Sequence, residues 1–494
     1  MTLGTRDAHD FAMIMNRRTF GHLLAGGFAV TVASRAAQTS SASPGGSTTI
    51  GLPALVNGSI QISGSATLPD PRESGIEHVV VVTMENRSFD HFFGWIPGAD
   101  GRQAGLQYTD NNGATHSTYL LAPDYTGCGH PDPEHLYGPD RVAYDNGAMD
   151  GLLRAGANDI YTIGYYTATD IPLYAALAQN YTVCDRYFAS FLGPTFPNRL
   201  FLWTGQTDRI DDSVTLTSLP TIFDRLAAAG VSHQYYFNNV PALAFWGLKY
   251  LFSTSPFLSF LASAAAGTLP SVSFVDPIYT VLDDGTGNDD HPHADIRNGD
   301  AFLSTIVRAL RASLKWRNTV LIINFDEWGG FFEHVTPPRA VAPNNVDPDQ
   351  IDGQVLLGFR LPVVIASPFT RDTGASEQVS SVLFDHTSVL KLIEWRWGLQ
   401  PLTARDSSTQ IGNLAAIMNF QSPDSNVPEL PLATPVLARP CFGGGIFSSS
   451  SQSTVNTITP EASRHWISPW AALASTPTVQ QWSRHPRFAR KPAP

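Results

Sequence analysis

The chain has 494 residues, a formal net charge of -12, and a composition that is 43% hydrophobic and 15% charged. This length allows one large α/β domain with insertions, or two to three domains. The composition excludes wholesale disorder, and the acidic balance argues against a protein that binds the phosphate backbone of nucleic acids or an anionic membrane surface.

Residues 1–37 have the pattern of an export signal. Arg17 and Arg18 precede a weakly apolar run, Leu23–Val32, and small residues follow at Ala33–Ala37. This pattern is typical of a twin-arginine signal, and we expect a secreted or cell-envelope protein carried by the twin-arginine export machinery. The run is too short for a transmembrane span. The alternative is a chance arginine pair before a short helix.

The first predicted strand precedes two polar side chains that can carry chemistry. Residues 38–71 are rich in Ser, Gly, Thr and Pro and predict a linker, which leads into a folded domain at residues 72–420. The apolar run Ile76–Thr83 predicts a buried parallel strand, and Glu85 and Asn86 follow it. In open α/β sheets, ligands bind beyond the carboxyl ends of the strands. Glu85 and Asn86 are therefore candidate site residues.

A long segment of weak periodicity, Gly94–Asp159, predicts an ordered loop over this edge of the sheet. It contains His130 and one of the three cysteines, Cys128, Cys184 and Cys441. The odd number leaves at least one cysteine unpaired in a monomer. Cys128 and Cys184 are one possible pair in an oxidising compartment, and the sequence leaves the pairing open.

Predicted strands and helices alternate from here to about residue 400. Further strands are expected at residues 181–184, 233–237, 271–275, 319–325 and 361–367, and helices from about Arg199 and at residues 219–229, 300–314 and 387–397. This alternation predicts an α/β fold, a three-layer α/β/α sandwich with loop-rich insertions over one edge. Right-handed crossovers would bring the carboxyl ends of strands 76–83, 271–275 and 319–325 to that edge.

Two segments are predicted to lie outside this alternation. Residues 255–270, rich in Ser and Ala, are expected to form a surface excursion. Residues 421–494 are rich in Pro, Ser and Gly and predict an irregular tail, partly ordered by Trp466, Trp470 and Trp482.

Oxygen donors collect at the ends of two predicted strands. Asp326 and Glu327 follow residues 319–325 as Glu85 and Asn86 follow the first strand. Carboxylate and amide oxygens are hard ligands that suit Ca²⁺, Mg²⁺ or Mn²⁺. Adjacent carboxylates repel one another unless a cation or an arginine neutralises them. The alternative is that each carboxylate caps a helix or pairs with an arginine.

Thr195 is the candidate nucleophile. It lies in a Pro-rich turn, Gly193–Pro197, before a predicted helix whose N-terminus would offer backbone N–H groups to a phosphate. A threonine hydroxyl needs a base or a metal to become a nucleophile. On the residues alone, an ordinary helix cap is the favoured alternative.

Three histidines, His130, His291 and His334, lie beside acidic, Gly or Pro residues in loops predicted at the same edge. A histidine can protonate a leaving alkoxide or donate a hydrogen bond to a phosphoryl oxygen. The alternative for each is a histidine that fixes its own loop.

Five phrases occur in order along the chain: TMENRSFDHFFG, CDRYFASFLGPTFPNR, NDDHPHAD, FDEWGGFFEHVTPP and FDHTSVLKLIEWRWGL. Together they cover roughly Ile76–Gln400 and resemble the bacterial phospholipase C/acid phosphatase A family of phosphoesterases, whose fold is like that of alkaline phosphatase. The resemblance implies one divalent metal ion, which is Ca²⁺, Mg²⁺, Mn²⁺ or Zn²⁺.

The resemblance implies a role for each candidate metal ligand. Glu85 and Asn86 match the first pair of metal ligands, and Asp326 and Glu327 match the second pair. Thr195 matches the nucleophile, which also lies on the metal, so the resemblance reverses the preference for a helix cap.

The resemblance also implies catalytic and substrate-binding side chains. His130, His291 and His334 fall at motif positions of histidines that bind phosphate or donate a proton. Asp290 and Asn198 are expected to contact the substrate with His130 and His291.

The implied function is that of a secreted, metal-dependent phosphoesterase. The leading activity is a phospholipase C that acts on phosphatidylcholine-type phosphodiesters through a phosphothreonine intermediate. A broad-range acid phosphatase is the alternative, and a non-catalytic binding protein is a less favoured third.

A set of aromatic and apolar residues in residues 240–270 has two possible roles: it forms either a lipid-facing lip at the site or ordinary core. Its members are Phe245, Trp246, Tyr250, Leu251, Phe252, Phe257 and Phe260.

Overall fold

The computed structural model of the chain describes residues 68–281, 285–371, 378–441 and 468–488. The predicted signal segment, residues 38–67 of the predicted linker, and Trp466 lie outside these ranges. The strands of the described ranges are β1 (His78–Met84), β2 (Gln107–Thr109), β3 (Thr115–Ser117), β4 (Tyr119–Leu120), β5 (Gly164–Tyr165), β6 (Thr182–Cys184), β7 (His233–Phe237), β8 (Thr254–Pro256), β9 (Val272–Val275), β10 (Thr319–Phe325), β11 (Arg339–Val341), β12 (Gln354–Leu356), β13 (Val363–Ala366) and β14 (Val379–Ser380).

Eleven α-helices accompany these strands in the described ranges. They are α1 (Phe89–Phe93), α2 (Tyr137–Tyr144), α3 (Pro172–Asn180), α4 (Thr195–Thr204), α5 (Ile222–Ala228), α6 (Phe257–Ala266), α7 (Ile296–Ala312), α8 (Thr387–Trp397), α9 (Ala404–Ser407), α10 (Pro469–Ala474) and α11 (Pro477–Arg484). None of the helices described is long and apolar enough to cross a membrane.

Eight of the strands form one central sheet in the order β14-β6-β13-β10-β1-β9-β7-β8. Strand β1 lies in the middle and pairs in parallel with β10 on one side and β9 on the other. The run Val79–Val82 is fully buried, because a strand covered on both faces needs apolar side chains at every position. The three strand ends that the sequence analysis placed together are therefore neighbours.

Helices cover both faces of this sheet. Tyr235 and Tyr236 are successive residues of β7, so their side chains point to opposite faces. The Tyr235 ring contacts Trp203 of α4, with centroids 6.1 Å apart, while the Tyr236 ring contacts Phe260 of α6 at 5.4 Å. Helix α4 packs on α5 and α8, and helix α7 packs on α3 and α6. The predicted three-layer α/β/α class is confirmed.

Three details of the fold differ from the sequence-based expectation. Strand β13 runs antiparallel to β10 and β6, so the polar Ser367 that follows it lies at the opposite edge from Glu85. Helix α4 begins at Thr195, before the expected start near Arg199. Residues 255–270 contain the end of β8 and all of α6. This helix was not predicted because its Ser and Ala residues give weak periodicity, and it buries only Phe260 and Ala264.

The apolar residues considered as a lipid-facing lip are mostly core. Five of them are buried, namely Phe245, Trp246, Tyr250, Leu251 and Phe260. Phe252 differs because its side chain is 72% exposed. The core alternative therefore describes this set better than a lip does.

The disulfide joins Cys128 to Cys441, and Cys184 is a buried free thiol. The pairing that the sequence left open is therefore Cys128 with Cys441, and Cys128 with Cys184 is not formed. Cys184 lies inside strand β6, within the central sheet, whereas Cys128 belongs to the loop over the sheet edge.

The predicted irregular tail is helical in part. Within the described residues 421–441 and 468–488, helices α10 and α11 follow residue 468. Trp470 and Trp482, which were expected to order this region, are both buried. Helices this short carry too little periodicity to be recognised from sequence.

Candidate active site

The strand ends of β1 and β10 form the floor of the site. These strands are in parallel register to their last pair, Met84 with Phe325. The next residues of each strand then exchange backbone hydrogen bonds: Asp326 N–H donates to Met84 O at 3.1 Å, and Arg87 N–H donates to Glu327 O at 3.1 Å. Glu85 N–H donates at 2.7 Å to Asp289 O, in the loop that follows β9.

Asn86 and Gly329 form a tight contact above this floor. Asn86 has a φ of 57°, in the left-handed region that asparagine tolerates better than most side chains. Gly329 also has a positive φ, and a Cβ there would lie 2.0 Å from Asn86 O. Asn86 is thus held in a conformation that few other side chains would adopt, and Gly329 leaves room for its carbonyl oxygen.

Arg199 is the buried cation of the site. Its guanidinium contacts three carboxylates: Glu85 Oε1 at 2.5 Å from Nη2, Asp276 Oδ1 at 3.1 Å from Nη1, and Asp326 Oδ2 at 3.3 Å from Nε. For Glu85 and Asp326, the alternative of pairing with an arginine is therefore observed. Sequence reasoning assigned no role to Arg199 or Asp276, although Asp276 follows strand β9 as Glu85 follows β1.

Three other oxygens in this region are buried without a hydrogen-bond partner: Asn86 Oδ1, Thr195 Oγ1 and Glu327 Oε1. Buried polar atoms normally have partners, so these three oxygens have hydrogen-bonding or coordinating capacity left for a ligand. Burial, and next the neighbouring charge of Asp326, raise the pKa of Glu85 and of Glu327 well above its usual range.

The donor set fits a hard divalent cation. Glu85, Asp276, Asp326 and Glu327 are four buried carboxylates, while within the described residues their ion pairs come from Arg199 alone. Each carboxylate oxygen has two lone pairs, so Glu85 and Asp326 keep coordinating capacity beside their hydrogen bonds. A divalent cation would supply charge and satisfy the unpartnered oxygens.

Thr195 is the first residue of helix α4 and is fully buried. The cap position belongs to Pro194, and no side chain caps this helix. The hydroxyl is therefore not used as a helix cap, which was the alternative role. The next residue is fixed by Asp212, whose Oδ1 accepts from Phe196 N–H at 2.8 Å.

Asn198 has a different role from the one predicted. Its Oδ1 accepts from Phe191 N–H at 3.0 Å, and its Nδ2 donates to Phe191 O at 3.1 Å, to Gly193 O at 3.0 Å and to Pro194 O at 3.1 Å. The side-chain amide of Asn198 is thus hydrogen-bonded to backbone groups through both its oxygen and its nitrogen. We revise Asn198 from a substrate contact to the residue that holds the turn before Thr195.

His135 and His291 form the histidine pair of the site. Both rings are buried, and their centroids are 5.7 Å apart. Nδ1 of His135 lies 2.6 Å from Pro133 O, and Nδ1 of His291 lies 2.8 Å from Pro292 O. Because a carbonyl only accepts, Nδ1 of each ring carries a proton, and Nε2 is the atom that can gain or lose one.

His135 also contacts a candidate metal ligand, since its Nε2 lies 3.3 Å from Asn86 Nδ2. Burial lowers the pKa of His135, but the charges of Asp132 and Asp140 outweigh this effect and raise it above its usual value. Sequence reasoning assigned no role to His135. Its acidic and Pro-rich surroundings were the same signal that had favoured His130.

The His130 ring makes its contacts with other residues than this pair. Its Nδ1 is 2.8 Å from Asp159 Oδ2, and its ring stacks on Tyr161 with centroids 5.1 Å apart. The hydrogen bond to Asp159 is the main cause that raises the pKa of His130. These contacts fit the loop-fixing alternative for His130.

His334 belongs to a separate ionic cluster. Its Nδ1 lies 2.5 Å from Asp90 Oδ2, and its Nε2 lies 3.2 Å from Asp100 Oδ1. Arg360 lies in the same cluster and forms an ion pair with Glu333 at 2.7 Å. Both ring nitrogens of His334 therefore face carboxylates, which suits a structural role better than the predicted proton donor.

Asp290 also differs from its predicted substrate contact. Its Oδ2 accepts from Tyr174 Oη at 2.7 Å, and its Oδ1 would be only 1.9 Å from a Cβ at Gly299 in α7. The side chain thus lies between helices α3 and α7. Burial raises the pKa of this carboxyl well above its usual range.

Several known proteins are similar to this chain in sequence. The model of the Phosphoesterase family matches residues 76–400. Non-specific phospholipase C6 of Arabidopsis thaliana is 32% identical over 374 residues, which cover 68% of this chain and 71% of that protein. Phospholipase C A of Mycobacterium tuberculosis is 31% identical over 442 residues, which cover 74% of this chain and 81% of that protein.

Similar solved structures are distant in sequence. The phosphonate monoester hydrolase of Agrobacterium radiobacter is 12% identical with a TM-score of 0.35, covering 72% of this chain and 78% of that one. A protein of the alkaline phosphatase superfamily from Vibrio parahaemolyticus is 12% identical with a TM-score of 0.33, covering 72% and 75%. Because these TM-scores are low, the description of the fold rests on the strand order of this chain alone.

Proposed function

This chain belongs to the Phosphoesterase family, and from that membership we propose that it is a secreted phospholipase C. It would cleave phosphatidylcholine-type phosphodiesters into diacylglycerol and a phosphorylated headgroup. The family and the relatives named phospholipase C make it a phosphoric ester hydrolase. The structural observation that supports metal-dependent chemistry is the set of three unpartnered oxygens, on Asn86, Thr195 and Glu327.

One divalent ion would be held by five side chains: Glu85, Asn86, Thr195, Asp326 and Glu327. When bound, it would favour ionisation of the threonine hydroxyl and neutralise charge on the phosphoryl group. The donors are all oxygen, which favours Ca²⁺, Mg²⁺ or Mn²⁺ over Zn²⁺.

Thr195 acts as the nucleophile in this proposal. Thr195 releases its hydroxyl proton to solvent, and Oγ1 forms a bond to phosphorus while the bond from phosphorus to the diacylglycerol oxygen breaks. That oxygen takes a proton from Nε2 of His291, with His135 beside it. Water then attacks phosphorus and gives a proton back to the same histidine, while the bond from phosphorus to Oγ1 breaks and Oγ1 regains a proton from solvent.

Export through the twin-arginine machinery remains part of the proposal. It is supported by the arginine pair, Arg17 and Arg18, in the sequence and by the disulfide between Cys128 and Cys441. Disulfides persist mainly in oxidising compartments. Changing both arginines to lysine should leave the protein in the cytoplasm, as measured by fractionation of the expressing cells, and unchanged export would contradict this route.

An activity panel tests the enzyme. The wild-type protein should hydrolyse phosphatidylcholine faster than p-nitrophenyl phosphate, and a chelator should abolish both reactions. Thr195→Val should lose at least about a thousandfold in kcat because it has no hydroxyl, while Thr195→Ser should keep substantial activity. Wild-type rates in Thr195→Val would refute the nucleophile.

The substrate preference decides between the remaining functions. A higher rate on the monoester would make the protein a broad-range phosphatase. Absence of hydrolysis across the panel, in the presence of each divalent ion, would leave a binding protein.

A further inference from the structure

The C-terminal helices α10 and α11 reach the candidate metal site through Trp470. The indole is fully buried, and its Nε1–H donates to Glu85 Oε2 at 2.9 Å. Its ring stacks on Tyr279 with centroids 3.6 Å apart and meets Phe196, the neighbour of Thr195, at 5.1 Å. Trp470 therefore touches both a candidate metal ligand and the residue beside the candidate nucleophile.

Trp470 and Arg199 share the carboxylate of Glu85. Arg199 donates to Oε1 and Trp470 donates to Oε2, so each oxygen has one hydrogen-bond donor. Two donors on the two oxygens fix the plane and direction of the carboxylate. Because the indole is neutral, it orients the carboxylate without cancelling the charge that a cation requires.

The same indole helps to hold Arg199. The guanidinium carbon lies 5.5 Å from the centroid of the Trp470 ring and 5.2 Å from that of Tyr279. Arginine is attracted to aromatic faces at such distances. The stacked pair of Trp470 and Tyr279 thus supports the cation that Glu85, Asp276 and Asp326 share.

A second tryptophan anchors the segment elsewhere. Trp482 of α11 is buried, and its Nε1–H donates to Gly247 O at 2.9 Å. Phe488 stacks on Trp482 at 6.0 Å and contacts Phe237 of β7 at 5.5 Å. Since this anchor is separate from Glu85, the docking of the segment and the positioning of Glu85 can be tested independently.

We propose that Trp470 is a positioning residue of the candidate metal site. Residues 468–488 then complete this site from a part of the chain outside residues 76–400, which the family model matches. This inference rests on the proposed function, because Glu85 is assigned there as a metal ligand. Trp470 would hold the Glu85 carboxylate in the orientation in which it binds a divalent cation.

The test compares two tryptophan variants of the full chain. Trp470→Phe keeps an aromatic ring but removes the N–H, so its dissociation constant for Mn²⁺, measured by titration calorimetry, should rise on the order of tenfold. Trp482→Phe is the matched control, because it removes a similar hydrogen bond from the same segment. It should bind Mn²⁺ as the wild type does, and thermal unfolding would show that both variants are folded.

Chemical rescue provides a second measurement in case Trp470→Phe does not fold. Trp470→Ala leaves a cavity that a bicyclic aromatic ligand can fill. Added indole should restore the affinity for Mn²⁺, whereas benzofuran has the same shape without the N–H and should not. Equal rescue by both ligands would overturn the positioning role of the N–H.

Two further outcomes would also overturn the proposal. Wild-type Mn²⁺ affinity in Trp470→Phe would show that the indole does not position Glu85, and tighter binding would show that it obstructs the site. Glu85→Gln separates this failure from failure of the proposed function. If Glu85→Gln binds Mn²⁺ like the wild type, the assigned metal site itself is wrong.

Discussion

At the scale of single residues, the candidate site is defined by unbalanced charge. Arg199 pairs with Glu85, Asp276 and Asp326, and all four side chains are buried. Glu327 adds a further buried carboxylate, one oxygen of which accepts from Gly329 N–H at 2.7 Å. Burying this many negative charges with one guanidinium is unfavourable without a further cation. The charge balance and the unpartnered oxygens thus lead to the same metal.

The proposed proton donor, His291, can be distinguished from His130 by mutation. His291→Gln should reduce kcat on phosphatidylcholine by about 10²–10⁴-fold, because Nε2 of His291 is proposed to protonate the leaving oxygen and its ring pairs with that of His135. His130→Gln is the matched control and should change kcat little, because His130 is bound to Asp159 outside this pair. Steady-state kinetics on folded variants would check this, and an equal loss in His130→Gln would contradict it.

At the scale of elements, the histidines of the site lie on loops that are held in place by bonds to other parts of the chain. Cys128, in the loop that leads to His135, is bonded to Cys441. In the same loop, Thr126 O accepts from His293 N–H at 2.8 Å, which joins it to the loop that carries His291. The disulfide therefore fastens both histidine loops to a distant part of the chain.

Removing this disulfide should destabilise the protein. Cys441→Ser is expected to lower the free energy of unfolding by about 2–5 kcal/mol, because the bond closes a loop of large sequence separation in the unfolded chain. Thermal unfolding with and without a reductant would measure the effect. The reductant should lower the Tm of the wild type and leave that of Cys441→Ser unchanged; a wild-type Tm that resists full reduction would contradict the prediction.

At the scale of the whole molecule, stability should depend on pH through Glu394 of α8. Burial, and next the neighbouring charge of Asp406, raise its pKa from an ordinary value of 4.5 to about 9. Between these two values the unfolded chain is ionised at this position and the folded chain is protonated. The folded state then binds more protons, so the free energy of unfolding falls as pH rises, by at most about 1.4 kcal/mol per pH unit.

Glu394→Gln should remove this contribution, because the amide stays neutral at every pH. Denaturant unfolding of both proteins from pH 5 to pH 9 would measure it. The wild type should lose stability relative to the variant as pH rises. A constant difference between the two proteins would show that Glu394 ionises normally in the folded state.

Much of this architecture was predictable because its signals are local. Strand β10 has the bounds that its apolar run predicted, and so does strand β7. Helix α8 likewise spans the expected residues, Thr387–Trp397. Antiparallel β13 was not predictable, since an apolar run carries no information about strand direction. Helix α6 was missed because its Ser and Ala residues give little contrast between a buried and an exposed face.

The sequence by itself determined which polar residues follow the two central strands, because each lies within a few residues of the apolar run that reveals it. Thr195 was singled out as a candidate nucleophile by the family resemblance. Only the tertiary structure decided that Arg199 joins three carboxylates, that His135 rather than His130 contacts Asn86, and that Trp470 reaches Glu85. Trp470 and Glu85 are 385 positions apart in the chain. Such contacts depend on how the sheet, its loops and the C-terminal helices pack together, and no local pattern encodes them.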